Sequence, residues 1–192
     1  MNSASPAALN YDSTLLSAMS RRVLIGDGAM GTMLQDAELT LDDFLGLEGC
    51  NEILNETRPD VLAGIHRAYF EAGADLVETN TFGCNQSNLG DYDIADRITD
   101  LAYRGTAIAR GVADEMGRSA DGTERFVVGS MGPGTKLPSL GHTTFAELRS
   151  AYQKCAVGML DGGADGILIE TCQDILQVKC ATIAANRAAG KQ

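Results

Sequence analysis

A short pattern that occurs twice constrains this chain more than any other feature of its sequence. Glu71-Ala72-Gly73-Ala74-Asp75 followed by Leu76-Val77-Glu78-Thr79 returns as Asp161-Gly162-Gly163-Ala164-Asp165 followed by Gly166-Ile167-Leu168-Ile169-Glu170-Thr171. In each copy a glycine ends a helix in the left-handed conformation that side chains resist. Ala-Asp then turns the chain, an aliphatic run makes a strand, and Glu-Thr closes it. Aliphatic strands without polar alternation are fit for burial on both faces, so repeated units of this kind imply a parallel sheet flanked by helices. Two architectures meet that condition, a doubly wound sheet and a (β/α)8 barrel.

The rest of the chain keeps the same alternation. Val23-Leu24-Ile25-Gly26-Asp27, Ala74 to Phe82, Phe126 to Met131 and Asp165 to Thr171 read as four strands. The helix after the first of them starts at Thr57-Arg58-Pro59-Asp60, with Thr57 as N-cap and Asp60 as an acidic variant of the capping box, and ends at Gly73. Ile94, Ile98, Leu101, Gly105, Ile108 and Val112 define the next by their three- and four-residue steps, with Gly117 beyond its end. Thr144 and Glu147 form a capping box for a third that closes at Gly162-Gly163. Thr171 with Asp174 opens a fourth that runs to about Gly190.

A complete (β/α)8 barrel takes roughly 250 residues, whereas these 192 offer four strand–helix units and stop at Lys191-Gln192, where a fifth strand is expected. The expectation is an α/β fold of (β/α)8 (TIM) barrel type with only about the first four βα units present. Residues 1–20 are expected to be a loose tail with a short helix, capped by Ser13 and running through Leu15, Leu16 and Met19. Residues 21–192 are expected to be the first half of the barrel.

Composition narrows the function. Fifteen Lys+Arg against 26 Asp+Glu give a net charge of -11, which repels a phosphate backbone, and with no tryptophan and few aromatics a base-stacking platform is not expected. No window has the run of apolar residues a membrane helix needs, and Met1 to Met19 lack the features of a signal peptide, so a cytoplasmic location is expected, with neither nucleic acid nor membrane as partner. Five widely spaced cysteines without a CxxC pair read as reduced thiols.

In either parallel architecture the working face lies at the carboxyl ends of the strands. The residues there are acidic and hydroxylic: Asp27, Glu78-Thr79-Asn80-Thr81, Ser130 and Glu170-Thr171. Carboxylates converging on one mouth suit a cation such as the ammonium of an amino acid. The alternative for Glu78 and Glu170 is a structural role as acidic residues in the first turns of helices. Gly26-Asp27-Gly28-Ala29-Met30-Gly31 has the letters of GxGxxG, but the charged stretch from Leu34 to Thr57 supplies no second strand with a ribose partner. A turn that presents N–H groups to a carboxylate fits better than a dinucleotide site. Gly129-Ser130-Met131-Gly132-Pro133-Gly134 is a second loop on that face. Cys50, Cys84 and Cys172 would make a three-thiolate zinc site only if the fold collected them, with Cys84 and Cys172 meeting at the mouth. Cys155 and Cys180 read as core thiols, His66 as helix surface and His142 as a loop residue.

These blocks together resemble the homocysteine-binding domain of the cobalamin-dependent methionine synthases. The likeness runs from Val23-Leu24-Ile25-Gly26-Asp27-Gly28-Ala29-Met30-Gly31-Thr32 through Gly49-Cys50-Asn51-Glu52-Ile53-Leu54-Asn55, Thr57-Arg58-Pro59-Asp60 and Glu78-Thr79-Asn80-Thr81-Phe82-Gly83. It continues into Val127 to Pro133 and Asp165 to Thr171, covering about residues 20 to 190. The resemblance implies a barrel that binds L-homocysteine and a zinc ion at its mouth. Asp27 and Glu170 would hold the substrate ammonium, the N–H groups around Gly28 and Ala29 its carboxylate, and Thr79 and Asn80 would line the pocket. It implies zinc cysteines on later strands, one isolated and two adjacent. This chain has no Cys-Cys pair, so no metal ligand or catalytic residue is assigned within it, and the zinc ligands are expected beyond Gln192. A zinc-activated thiolate would take a methyl group from methylcobalamin, with cobalamin and methyltetrahydrofolate on other modules of a longer chain.

Two readings compete. A cobalamin-independent homocysteine S-methyltransferase using a betaine or S-methylmethionine donor would share Asp27 and Glu170. A non-catalytic amino-acid-binding half-barrel would assemble with a partner chain. Phosphate-sugar chemistry fits less well, because its usual loops follow later strands. The segment alone is expected to be inactive and, with strand edges uncovered, to self-associate or be unstable.

Overall fold

A computed structural model describes residues 14–119 and 122–190. Thr14–Arg21 forms α1; the expected cap at Ser13 and the preceding tail lie outside the described residues. Met30–Asp36 forms α2, and after a turn-rich stretch Leu54–Thr57 forms the single turn α3. Then come α4 (Pro59–Glu71), β1 (Leu76–Glu78), α5 (Gln86–Gly90), α6 (Ile98–Met116) and β2 (Phe126–Met131). The described chain ends with α7 (Phe145–Asp161), β3 (Gly166–Ile169) and α8 (Ile175–Ala188). None of these helices is long and apolar enough to cross a membrane.

The three strands form one parallel sheet in the order β1-β2-β3, with Leu76 opposite Phe126 and Val128 opposite Gly166. All six residues of β2 are buried, as the lack of polar alternation in Phe126-Val127-Val128 requires, whereas β3 is only half covered. The architecture is thus α/β with a small parallel sheet.

The expected first strand at Val23 to Asp27 is not a strand of this sheet. The segment is extended and lies beside β1, but side chains replace most of the ladder. The Asp75 N–H donates to the Ile25 carbonyl at 2.8 Å, the Ile25 N–H donates to Asp75 Oδ2 at 2.8 Å, and the Glu78 N–H donates to Asp27 Oδ2 at 3.0 Å. The same device recurs in the second copy of the repeat. The Asp165 N–H donates to the Val127 carbonyl at 2.8 Å and the Val127 N–H to Asp165 Oδ2 at 2.8 Å. Each aspartate is also paired with an arginine, Arg22 at 2.6 Å from Asp75 and Arg110 at 3.0 Å from Asp165. The repeated Ala-Asp is therefore a clamp that sets one strand against its predecessor.

Helix ends follow the sequence where capping is local. Thr144 and Glu147 form the full capping box of α7, and Gly73 and Gly163 take φ of 106° and 95° at the two equivalent helix exits. Thr57 does not cap α4. The chain reaches it already helical in α3, so its hydroxyl turns back to donate to the Asp43 carbonyl at 2.6 Å, and Asp60 pairs with Arg58 instead of closing a box. At the last helix Asp174 alone is the cap, accepting from the Leu176 N–H at 2.8 Å, while Thr171 stands before it with φ of 56°.

The largest core lies where α6, α7 and α8 pack on the sheet, around Ile98, Leu101, Tyr152 and Met159. Gly158 and Gly162 let α7 approach α6 closely. A Cβ on either would stand 2.4 Å from the Thr99 carbonyl oxygen or 2.7 Å from that of Tyr103. His66, expected on a helix surface, is completely buried, and neither ring nitrogen has a hydrogen-bond partner among the described residues. Its place among Leu62, Ile65 and Phe70 on α4 puts it on the buried face, which a single polar letter in the pattern disguises.

Candidate functional site

At the carboxyl ends of the strands lies a cavity of about 500 Å³, lined by Asp27, Gly28, Ala29, Met30 and Gly31, by Asn51 and Glu52, by Glu78, Thr79, Asn80 and Phe82, and by Ser130 and Glu170. All six residues singled out from the sequence, Asp27, Gly28, Ala29, Thr79, Asn80 and Glu170, face this one cavity. Glu78 is the last residue of β1 and Glu170 follows the last residue of β3, so the parallel register delivers both carboxyls to the same end. Neither lies in the first turn of a helix, which removes the structural alternative for them.

Among the described residues no lysine or arginine lines the cavity, which holds four carboxyl groups, Asp27, Glu52, Glu78 and Glu170, and the charges of Asp27 and Glu170 act on Glu78. Burial pushes Asp27 up to about 6, partly offset by the N–H it accepts from Glu78. Glu78 is raised to about 7 by burial, then by the charges of Glu170 and Asp27 and by a hydrogen bond to Glu170. Glu52, which sequence reasoning did not single out, is buried in the wall. Its Oε1 accepts from the Gly83 N–H at 2.7 Å, and burial raises its carboxyl. A mouth with this excess of carboxyl groups and no basic side chain can accept an ammonium group.

Hydroxyls knit the strand ends together. Ser130 Oγ donates to Glu170 Oε1 at 2.5 Å, and the Ser130 N–H donates to Thr79 Oγ1 at 3.1 Å. Thr79 and Thr81 hydroxyls are 2.6 Å apart, and Thr81 Oγ1 donates to the Ser130 carbonyl at 2.8 Å. Thr79 and Asn80 are thus largely wall: Asn80 Nδ2 donates to the Asn51 carbonyl at 2.8 Å and to Asn55 Oδ1 at 2.9 Å. On the opposite side Ala29 is the N-cap of α2 and has no side-chain acceptor for the first-turn N–H groups, and Tyr69 Oη pins its carbonyl at 3.0 Å. A Cβ on Gly28 would stand 2.9 Å from Tyr69 Oη and would push that ring from its bond to the Ala29 carbonyl.

The thiols do not collect as a zinc site requires. Cys50 and Cys84 lie buried with Cys155, and Cys172 is apart from them near Glu170 and Tyr152. Burial raises Cys50 to about 11 and Cys155 to about 12, and Cys84 well above its ordinary value, so these thiols are protonated. Among the described residues no three His, Cys, Asp or Glu side chains are grouped to hold a metal ion. Cys180 is a core thiol, and His142 lies in a loop where its Nδ1 accepts from the Leu137 N–H at 3.3 Å. A second cavity, of about 410 Å³ at the amino end of β2, is lined by Arg110, which pairs with Asp114 and Asp165, by Arg118, which pairs with Glu124, and by Arg125, whose guanidinium lies over the Phe70 ring.

Comparison with known proteins identifies the family and the fold. The family model of homocysteine S-methyltransferases matches residues 24–191. Over 178 residues the chain is 72% identical to methionine synthase of Mycobacterium tuberculosis (strain ATCC 25618 / H37Rv) and 70% identical to that of Mycobacterium leprae (strain TN). Each match covers 93% of this chain but only 15% of the relative, so the chain spans a small part of the length of these proteins. The homocysteine methyltransferase MmuM from Escherichia coli shares the fold. Its oxidized form matches with a TM-score of 0.73 at 18% identity, over 94% of this chain and 64% of that one. Its metallated form gives 0.71 at 20% identity, over 93% and 64%. With its sequence matched to the family model nearly end to end, the chain belongs to the homocysteine S-methyltransferase family.

Proposed function

We propose that this chain supplies the amino-acid recognition part of a methionine synthase, holding L-homocysteine while its thiol is methylated. The observation that carries the reading is the convergence of Asp27, Glu78 and Glu170 on one cavity without a basic side chain. Asp27 and Glu170 take the ammonium, and the N–H groups around Gly28 and Ala29, at the start of α2, take the carboxylate. Thr79 and Asn80 form the wall behind them. High identity to two methionine synthases, concentrated in a region that the homocysteine S-methyltransferase family model covers, supports the methylcobalamin-dependent reading. A donor such as betaine or S-methylmethionine has no comparable support, since the likeness to MmuM is one of fold.

The residues described here do not fit a zinc ion. Zinc, cobalamin and methyltetrahydrofolate, which the resemblance implies, belong in this reading to parts of a longer polypeptide. The sheet supports that view. The segment from Val23 to Asp27, β1, β2 and β3 lie side by side in chain order without the reversal of a doubly wound sheet, and apolar Val23, Ile25 and Leu168 are exposed on its outer members. Further strands closing a (β/α)8 barrel over residues 21 onward would cover them, and without such cover the edges favour self-association.

Methionine formation from L-homocysteine by the full-length protein tests the reading. Asp27→Asn is expected to raise KM for homocysteine by about tenfold or more, the effect of weakening one charged hydrogen bond. Unchanged kinetics in that variant would remove this cavity from the reaction.

A further inference from the structure

The hydrogen bonds around Ser130 run in one direction only. Thr81 spends its proton on the Ser130 carbonyl and Thr79 Oγ1 receives the Ser130 N–H, so in the Thr79–Thr81 contact Thr79 is the donor. The result is a closed ring, from the Ser130 N–H through Thr79 and Thr81 back to the Ser130 carbonyl, that ties the ends of β1 and β2. Ser130 is 2% exposed, and its own hydroxyl takes no part in this ring. Its Oγ stands 2.5 Å from Glu170 Oε1, within the range of an O–H donor on a charged carboxylate. Glu78 lines the same cavity and feels the charge of Glu170, and two carboxyls held this near do not both ionise freely.

We propose that Ser130 is a positioning residue that assigns the charge of the Glu78–Glu170 pair to Glu170, leaving the proton on Glu78, and so makes Glu170 the acceptor for the substrate ammonium. The inference rests on the reading of this cavity as the homocysteine site. A carboxylate that receives a buried hydroxyl is fixed in rotamer and stabilised as the anion, whereas the partner lacking such a donor keeps the shared proton. The groups that face the pair are Asp27 from the extended segment, Glu52 from the wall before α3 and Cys172 beyond β3, and none is a cation that would otherwise decide where the charge sits.

The test is the affinity of the full-length protein for L-homocysteine as a function of pH, in wild type and in Ser130→Ala, Ser130→Thr and Ser130→Val. Loss of the hydroxyl in the alanine and valine variants is expected to weaken binding about tenfold near neutrality and to move the acid limb of the profile up by about one pH unit. Threonine, which keeps the hydroxyl and has the shape of valine, is expected to leave the limb in place. An acid limb in Ser130→Ala that coincides with the wild-type one overturns the inference, because a merely structural residue lowers affinity equally at every pH. Failure of both alanine and valine variants to fold, with threonine folded, overturns it as well, since the hydroxyl is then a requirement of the fold. Wild-type protein without affinity for L-homocysteine takes down the reading of the cavity itself, whereas wild-type binding with an unmoved limb removes only the role of Ser130.

Discussion

Asp75 holds Ile25 by two hydrogen bonds at once, its N–H donating to the Ile25 carbonyl and its Oδ2 accepting from the Ile25 N–H, each at 2.8 Å. Asp27, two residues further on, accepts from the Glu78 N–H at 3.0 Å, so the clamp at one end of the segment sets where the candidate ammonium ligand stands at the other. The placement of Asp27 thus depends on a joint at the far end of the extended segment.

Asp75→Ala removes the acceptor of the Ile25 N–H and the partner of Arg22 together. Leaving the Ile25 N–H without its acceptor and loosening the Arg22 pair is expected to cost about 2–3 kcal/mol, measured by chemical denaturation. Asp165→Ala, whose side chain is more exposed, is expected to cost less. Equal stability of Asp75→Ala and wild type would show that the ladder, and not the clamp, holds the segment.

His66 makes the protein acid-sensitive. Burial lowers its pKa to about 4 from the ordinary 6.5, so between these values the unfolded state binds more protons than the folded one. Stability from this group is complete above pH 6.5 and is lost as pH falls toward 4, by about 3 kcal/mol in all. His66→Leu is expected to flatten that part of the stability–pH curve and to raise stability at pH 5, since two buried nitrogens without partners disappear. A curve of unchanged slope would contradict the account.

Glu78 and Asp27 act in the opposite sense. Their carboxyls are raised to about 7 and about 6, so the stability they contribute is present in acid and is lost as pH rises through those values. Glu78→Gln is expected to be more stable than wild type at pH 8 and to differ little from it at pH 4.5, by thermal unfolding without substrate. A destabilised variant at pH 8 would mean that the Glu78 charge is matched by a cation in the folded protein.

What could be read in the sequence was what depends on near neighbours. The Gly-Ala-Asp repeat, the capping box at Thr144 and Glu147 and the three acidic strand ends are visible because helix exits, caps and strand directions are set within a few residues. Thr57 and Thr171 were misplaced as helix openers because the preceding turn, and not the residue type, decided the backbone. Val23 to Asp27 looked like a strand and is one in extension only, since its bonding partner was an aspartate side chain fifty residues away. Glu52 gave no local signal, and Ser130, legible as a strand end, gave none of its tie to Glu170. One is brought to the cavity wall by the Gly83 N–H and the other gains its meaning from Glu170, across a strand pairing that only the fold creates.

The most direct test of the carboxylate mouth is calorimetric titration of the full-length protein, wild type and Glu170→Gln, with L-homocysteine and with 4-sulfanylbutanoate, which lacks the ammonium group. The account predicts that Glu170→Gln weakens homocysteine binding by about 1.5–3 kcal/mol and leaves the affinity for 4-sulfanylbutanoate unchanged or higher. An unchanged dissociation constant for homocysteine, or an equal loss for both compounds, would contradict the claim that Glu170 holds the ammonium.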